Sequence, residues 1–95
     1  MIEVSVRKDE ITVSGHAGYA EQGKDIVCAG VTALVQTLIK SFDDLTEDKI
    51  EADVQQGEAH IKYGDLSEAG KLLVDSFFLG VCLIEDEFPQ YVKIK

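Results

Sequence analysis

The chain has 95 residues, which is enough for one domain with a modest two-layer core, so we predict a single domain over residues 1–95. It carries 18 acidic and 9 basic residues, and the net charge of −9 argues against direct binding of nucleic acid, whose protein partners present basic faces. It contains neither a run of about 18 apolar residues nor a basic start followed by an apolar stretch, which predicts no membrane span, no signal peptide and a cytosolic location.

A β-hairpin is predicted at the start of the chain. Apolar residues alternate with polar ones over 2–7 and again over 11–16, which is the pattern of two half-buried strands. The polar break over 8–10 is short enough for a hairpin connection. The polar side of the second strand ends in His16.

A loop and a long helix are predicted next. Residues 17–24 include Gly18, Tyr19 and Gly23 and show no periodicity. The glycines permit large backbone changes, so we predict that this loop is a mobile lid that contacts substrate. Asp25 is the predicted N-cap of a helix that runs to about residue 43. The apolar stripe of this helix has helical spacing and consists of Val27, Val31, Leu34, Val35, Leu38, Ile39 and Phe42.

The second half begins with another hairpin and ends with a short strand. Residues 49–55 and 59–63 alternate between apolar and polar types on either side of a turn at Gln56 and Gly57. The apolar residues of the segment 92–94 predict the last strand.

The second helix carries more apolar residues than one sheet face can cover. It is predicted to begin within 64–67 and to end at about Glu87, before Phe88 and Pro89. Its apolar residues go most of the way round it: Leu72, Leu73, Val74, Phe77, Phe78, Leu79, Val81, Cys82, Leu83 and Ile84. Such a helix is buried on more than one side, by its neighbour helix or by another subunit. We therefore predict a homodimer joined through this helix. The alternative is that the first helix and the sheet edges cover all of these apolar residues within one subunit.

The order strand-strand-helix-strand-strand-helix-strand predicts an α/β fold, a two-layer sandwich. Every strand shows one apolar face. We therefore expect a mixed or mostly antiparallel sheet with the two helices on one face and solvent on the other.

The first half also carries the parts of a cysteine nucleophile and its base. Cys28 falls in the first turn of a helix, where the macrodipole favours a thiolate, and the imidazole of His16 can take the thiol proton. As N-cap, Asp25 accepts a hydrogen bond from the N–H of Val27 or Cys28 and fixes the turn that presents the thiol. Spacing alone leaves open that His16 is a solvent-facing residue and that Asp25 is only a cap.

The remaining cysteine and histidine are assigned structural roles. Cys82 lies inside an apolar helix and is interpreted as a buried small side chain, and His60 as a surface residue on the polar side of its strand. The cysteines and histidines lack the close spacing of a metal site, and the loop glycines match no phosphate-binding pattern. We predict no metal and no cofactor.

The sequence around these residues resembles the signature of the ribosomal-processing cysteine protease family (Prp, also called YsxB-like). The resemblance rests on Gly-His-Ala at 15–17 and on Gly-Lys-Asp-Ile-Val-Cys-Ala at 23–29, and the length and element order extend it over essentially the whole chain. It implies that His16 and Cys28 are the catalytic pair and that Asp25 matches the family's aspartate. Thr32, one helical turn after the cysteine, stands where the family often has a serine.

The resemblance implies a bacterial endopeptidase that removes the N-terminal extension of large-subunit ribosomal protein number twenty-seven. Extensions of this kind end in aromatic residues, so an apolar pocket near Cys28 is expected. The mature substrate is basic, which suits the net charge of −9, and the family is described as homodimeric. The expected mechanism is acyl transfer. Free N–H groups at the helix start are the expected oxyanion donors, and they include that of Cys28 unless the Asp25 cap engages it.

Two other function classes remain open. One is a non-catalytic ribosome-assembly module that uses its acidic surface to hold a basic protein, and the other is a redox-sensing thiol protein. Only the protease shortens a tagged ribosomal-protein precursor. Sensitivity to peroxide without peptide cleavage would favour the redox protein.

Overall fold

The computed structural model describes the whole chain, residues Met1–Lys95, as a five-stranded sheet packed against two helices. The elements follow the predicted order, strand-strand-helix-strand-strand-helix-strand. Their bounds are β1 Ile2–Val6, β2 Glu10–Ser14, α1 Ile26–Leu45, β3 Ile50–Gln55, β4 Glu58–Tyr63, α2 Glu68–Glu87 and β5 Val92–Ile94. The predicted two-layer α/β sandwich is confirmed.

The sheet is mixed, with the strand order β3-β4-β2-β1-β5. The pairs β1–β2, β2–β4 and β3–β4 are antiparallel, and β5 lies parallel to β1. The two hairpins join where β2 pairs with β4, with Val13 opposite Ala59 and Ser14 opposite Glu58. This register places the turn between β3 and β4 beside the end of β2, the strand that leads to His16.

The core lies between the sheet and the helices, and six of the seven elements contribute to it. Its largest fully buried side chains are Phe42, Ile11, Ile61, Val4, Val27, Val81 and Val92. Only β3 supplies none of them. The core is therefore complete only when both helices and the four strands other than β3 have come together.

Helix α1 covers the sheet with most of the stripe that its periodicity predicted, while Leu34 and Ile39 of that stripe are half-buried. The buried residues of this helix are Val27, Val31, Val35, Leu38 and Phe42. By length and composition alone α1 is long and apolar enough to cross a bilayer. In this fold, however, the stripe packs in the core against the sheet and α2.

Strand β3 departs from the expectation that the helices cover one whole face of the sheet. Ala52 and Val54 are paired with Ile61 and Ala59, which are buried, so all four point to the helix side. Ala52 and Val54 are nevertheless exposed, Val54 by 42%. Two helices packed about 10 Å apart cover about four strands spaced about 4.8 Å apart, so the edge strand of five stays uncovered.

Helix α2 has an apolar outer face that the rest of the chain does not cover. Val74, Phe77 and Val81 pack into the core. The exposed apolar residues of this outer face are Leu72, Phe78, Leu79 and Leu83. The alternative that α1 and the sheet edges cover all the apolar residues of α2 within one subunit is therefore wrong.

Candidate active site

His16 lies two residues beyond β2, where the strand end is fixed to the turn between β3 and β4. The N–H of Gly15 donates to the carbonyl of Gly57 at 2.8 Å, and Gly15 has a φ of 97°, which favours glycine. The imidazole lies against Gly57, where an added Cβ atom would be 2.6 Å from Nε2. The carbonyl of His16 accepts from the Met1 ammonium at 2.6 Å, but its ring makes no hydrogen bond. His16 is exposed, so its imidazole faces solvent, and Gly57 limits the ring on one side.

Asp25 ties the start of α1 to the loop before it. One carboxylate oxygen, Oδ1, accepts from the N–H groups of Val27 and Cys28, each at 3.0 Å, which confirms the predicted cap. The other, Oδ2, accepts from the N–H groups of Tyr19 at 3.1 Å and Ala20 at 3.4 Å. The hydrogen bond from Cys28 is the largest cause that holds the pKa of Asp25 below its usual range; desolvation opposes it, and the loop N–H groups add to it.

Cys28 is the third residue of α1, and its side chain is half-buried. Its Sγ atom accepts a hydrogen bond from the N–H of Ala17 at 3.3 Å. Because Ala17 directly follows His16, this bond holds the thiol beside the chain segment that carries the imidazole. A helix N-terminus and an N–H donor are both groups that stabilise negative charge on sulfur.

The N–H of Cys28 is not free to hold an oxyanion. It donates to Asp25 at 3.0 Å, so the cap uses the donor that the sequence offered for this role. The N–H of Ala17 is different, because it points at the sulfur rather than away from it. A carbonyl carbon attacked by Cys28 has to come within bonding distance of that same sulfur. Ala17 therefore carries a donor close to that carbon, and in this structure the donor is bonded to the thiol.

One open cavity of about 1150 Å³ brings the predicted residues together. Its lining includes every predicted site residue except Tyr19, namely His16, Gly18, Gly23, Asp25, Cys28 and Thr32. Thr32 is exposed, one helical turn after the cysteine. No hydrogen bond joins the imidazole of His16 to the thiol of Cys28. His16 and Cys28 therefore line the same cavity but are not hydrogen-bonded to each other.

The loop 17–24 has anchors that its sequence did not reveal. Tyr19 places its ring edge-on against Phe88, with centroids 5.5 Å apart, and against Tyr91, with centroids 5.3 Å apart. Ala17 is buried in the core. The segment therefore has apolar anchors although its sequence shows no apolar periodicity, and Gly18 and Gly23 have positive φ values in open space. That the loop moves on substrate binding stays a prediction.

The other cysteine and histidine do not line this cavity. Cys82 is half-buried on α2. His60 contacts Glu58 at 2.7 Å and Glu10 at 3.8 Å. The hydrogen bond to Glu58 is the largest cause that raises the pKa of His60; desolvation opposes it, and the charges of the neighbouring carboxylates add to it. Neither residue is placed to serve Cys28, and no three His, Cys, Asp or Glu side chains come together to hold a metal ion.

Two residues of the site were missed from the sequence, Gly57 and Ala17. Gly57 was interpreted only as a turn residue, since its contact with His16 depends on β4 pairing with β2. Ala17 was interpreted only as part of a loop, since an N–H donor leaves no trace in side-chain pattern. Had the strand order been known, the Gln56–Gly57 turn would have been placed beside His16.

Comparison with known proteins identifies what this chain is similar to. A family model described as cysteine protease Prp matches residues 1–93. The ribosomal processing cysteine protease Prp of Staphylococcus aureus is 27% identical over 88 residues, which cover 90% of this chain and 83% of that protein. The protein of the same name from Mycoplasma genitalium is 37% identical over 54 residues, which cover 53% of this chain and 54% of that protein.

Solved structures agree in fold. An essential ribosomal processing protease Prp from S. aureus, in complex with a covalently linked product peptide, matches with a TM-score of 0.90 at 23% identity, covering 99% of this chain and 95% of that one. SMU.848 from Streptococcus mutans matches with a TM-score of 0.76 at 28% identity, covering 99% of this chain and 90% of that one.

Proposed function

We propose that this chain, which belongs to the cysteine protease Prp family, is an endopeptidase that removes the N-terminal extension of large-subunit ribosomal protein number twenty-seven. The observation that carries the proposal is the cavity shared by Cys28 and His16, with the thiol at a helix N-terminus. Relatives named ribosomal processing cysteine proteases support the class of substrate. Thr32, exposed in the same cavity, is proposed to contact the substrate rather than the thiol.

The proposed reaction is acyl transfer in two stages. His16 takes the proton of Cys28, and the thiolate attacks the scissile carbonyl to form a tetrahedral intermediate. The C–N bond then breaks, His16 gives its proton to the leaving amine, and a thioester remains on Cys28. Water, deprotonated by His16, hydrolyses the thioester and regenerates the thiol. The ring of His16 has no hydrogen bond to break before it turns towards the sulfur, and such contacts often tighten only when substrate binds.

The oxyanion of the intermediate is proposed to accept a hydrogen bond from the N–H of Ala17. This donor lies 3.3 Å from the attacking sulfur, so it is proposed to pass from the sulfur to the carbonyl oxygen as the negative charge moves there, and a donor that meets developing charge lowers the barrier. Asp25 contributes indirectly, because it fixes both the helix start that carries Cys28 and the loop that follows Ala17.

Charge and apolar surface support the proposed partners. A net charge of −9 attracts a basic ribosomal-protein precursor by long-range steering and disfavours direct contact with nucleic acid. We place the protein in the cytosol, where ribosomal proteins are made. We also propose a homodimer through the outer face of α2, because burying the exposed Leu79 and Leu83 removes apolar surface from water at about 25 cal/mol per Å².

Incubation with the purified precursor tests the activity. Mass spectrometry should detect a shortened protein and the released extension, and the Cys28→Ser variant should produce neither. Binding of an intact precursor by the wild-type protein would support the assembly module instead.

Sedimentation tests the dimer: the wild-type chain should have twice the monomer mass, and Leu79→Asp should yield a soluble monomer. A monomer mass for the wild type at micromolar concentration would refute the dimer.

A further inference from the structure

The uncovered face of β3 and the exposed flank of α1 form a groove that leads away from Cys28. The cavity at the active site extends along α1 to Gln36 and reaches β3 at Val54. A second cavity of about 850 Å³ also borders Gln36 and continues past Ile50 and Ala52. We call these two cavities together the α1–β3 groove. It exists because the helix layer stops short of the edge strand.

The dimensions of the α1–β3 groove suit an extended polypeptide. From Cys28 to Asp43, which lines the far cavity, α1 rises about 22 Å at about 1.5 Å per residue. An extended chain of about seven residues spans the same distance at about 3.3 Å per residue. The floor includes the apolar residues Val54 and Ala52 on β3 and Ile39 on α1, and charged residues of both signs, Asp43 among them, line much of the far cavity. The apolar residues offer burial to a side chain of the bound polypeptide.

We infer that the α1–β3 groove binds the precursor polypeptide on one side of the scissile bond in an extended conformation, and that Ala52 lies in a subsite for an apolar side chain. The inference rests on the proposed function. Its basis is continuity: a chain that presents a carbonyl to Cys28 must leave the cavity in both directions, and this groove opens from the cavity past the apolar residues of β3. Recognition therefore extends several residues from the bond that is cut.

Peptide binding to the inactive Cys28→Ser variant tests the inference without requiring cleavage. The probes are fluorescein-labelled synthetic peptides of the precursor junction: a short one with two residues on each side of the bond, and two others lengthened by about six residues on the amino side or the carboxyl side. One of the long peptides should bind about tenfold more tightly than the short one. Ala52→Arg should remove that advantage and leave the short peptide unaffected.

The matched control is Asp53→Arg, which puts the same side chain on the opposite face of the same strand, beside Glu58 and His60. It should leave the affinities of all three peptides unchanged. Equal affinity of the long and short peptides, or equal effects of Ala52→Arg and Asp53→Arg, would overturn the inference. So would a sedimentation mass that Ala52→Arg halves, because the groove would then hold a second copy of this chain.

Cleavage by the wild-type protein separates this inference from the proposed function. If wild type cuts the short and long peptides at the same rate per bound peptide, and Ala52→Arg raises KM for the long peptide about tenfold with kcat unchanged, both hold. If the long peptide binds in the groove but no peptide is cut, the groove stands and the protease proposal fails. If peptides are cut with no effect of Ala52→Arg, the protease stands and the groove fails.

Discussion

The two halves of the candidate active site are held by different means. At the nucleophile, four main-chain N–H groups converge on the carboxylate of Asp25, and a fifth reaches the sulfur of Cys28. At the base, the imidazole of His16 makes no hydrogen bond and lies against the backbone of Gly57. The proposed nucleophile is therefore fixed by polar contacts, whereas the proposed base is exposed and is limited only by its contact with Gly57.

The difference fits the two tasks. A nucleophile has to keep one position relative to the scissile carbonyl, since small misplacements cost much of the rate. A base that takes a proton from Cys28 and passes it to a leaving amine has to reach two positions in one cycle. Substitutions around Cys28 and around His16 should show whether cleavage and alkylation respond differently to changes in the two halves of the site.

Replacing the nucleophile has the largest expected effect. Cys28→Ser should lower the cleavage rate at least about 10⁴-fold, because a serine hydroxyl is far harder to ionise than a thiol and no further base assists it. The substitution keeps the shape of the side chain, so the melting temperature should change little. Cys82→Ser, on the other helix, should keep nearly full activity. Equal loss in both variants, with both folded, would remove Cys28 from the proposed role.

Replacing the base comes next. His16→Ala should slow cleavage by about 10²- to 10⁴-fold, the usual contribution of a general base, and should slow alkylation of Cys28 by iodoacetamide near neutral pH. His60→Ala is the control, since its ring is hydrogen-bonded to Glu58 and does not itself line the cavity. Full activity in His16→Ala would mean that the thiol is activated without this imidazole.

Gly57 tests directly whether shape holds the base. Gly57→Ala would put a Cβ atom 2.6 Å from Nε2 of His16, so the ring must move, and we expect roughly a tenfold loss in kcat with an altered pH profile of Cys28 alkylation. Gly57 also has a φ of 78°, where an alanine is strained.

Gly23→Ala separates strain from displacement of the ring. Gly23 has a φ of 89° with no atom near the position of an added Cβ, so alanine there carries strain alone. Both variants should lose about 1 kcal/mol or more of stability, but only Gly57→Ala should change the pH profile of alkylation. The same pH profile in Gly57→Ala as in wild type would show that the imidazole does not depend on this contact.

The sequence predicted the parts of the site that depend on neighbours along the chain. Asp25 and Cys28 are three residues apart, so the cap and the place of the thiol in the first helical turn follow from local rules. The strands and helices also follow from local periodicity. Their order in the chain limits the fold to few arrangements, which is why the sandwich was predictable.

Long-range pairing was not predictable in the same way. The contact of Gly57 with His16 requires β4 to lie beside β2, and alternation of side chains does not say which strands are neighbours. One face of β3 is exposed because two helices cover fewer than five strands. This follows only once it is known that all five strands belong to one sheet with β3 at its edge. The second pair of hydrogen bonds to Asp25 comes from a loop without periodicity.

The smallest expected effect concerns how firmly Asp25 fixes the nucleophile. Its pKa is held below the ordinary value of 3.8 in the folded state, so the ionised carboxylate stabilises the fold fully above that pH. This contribution is lost as the pH falls through the lowered pKa. Asp25→Asn keeps an oxygen for the cap but cannot ionise. Its melting temperature should lie a few degrees below that of wild type near neutral pH, and the gap should close in acid.

Thermal unfolding monitored by circular dichroism, from about pH 6 to about pH 2, measures this gap. Asp65→Asn, at an exposed carboxylate without hydrogen bonds in the connection between β4 and α2, supplies the control and should match wild type near neutral pH. The same samples give the alkylation rate of Cys28, which should change less than tenfold because the Val27 and Cys28 N–H groups still find an oxygen at position 25. A gap of constant size at every pH would mean that hydrogen bonding to Asp25, rather than its charge, fixes the helix start. The contrast between Cys28 and His16 would then be one of hydrogen bonding alone: Cys28 is held by hydrogen bonds at the helix start, and the ring of His16 makes none.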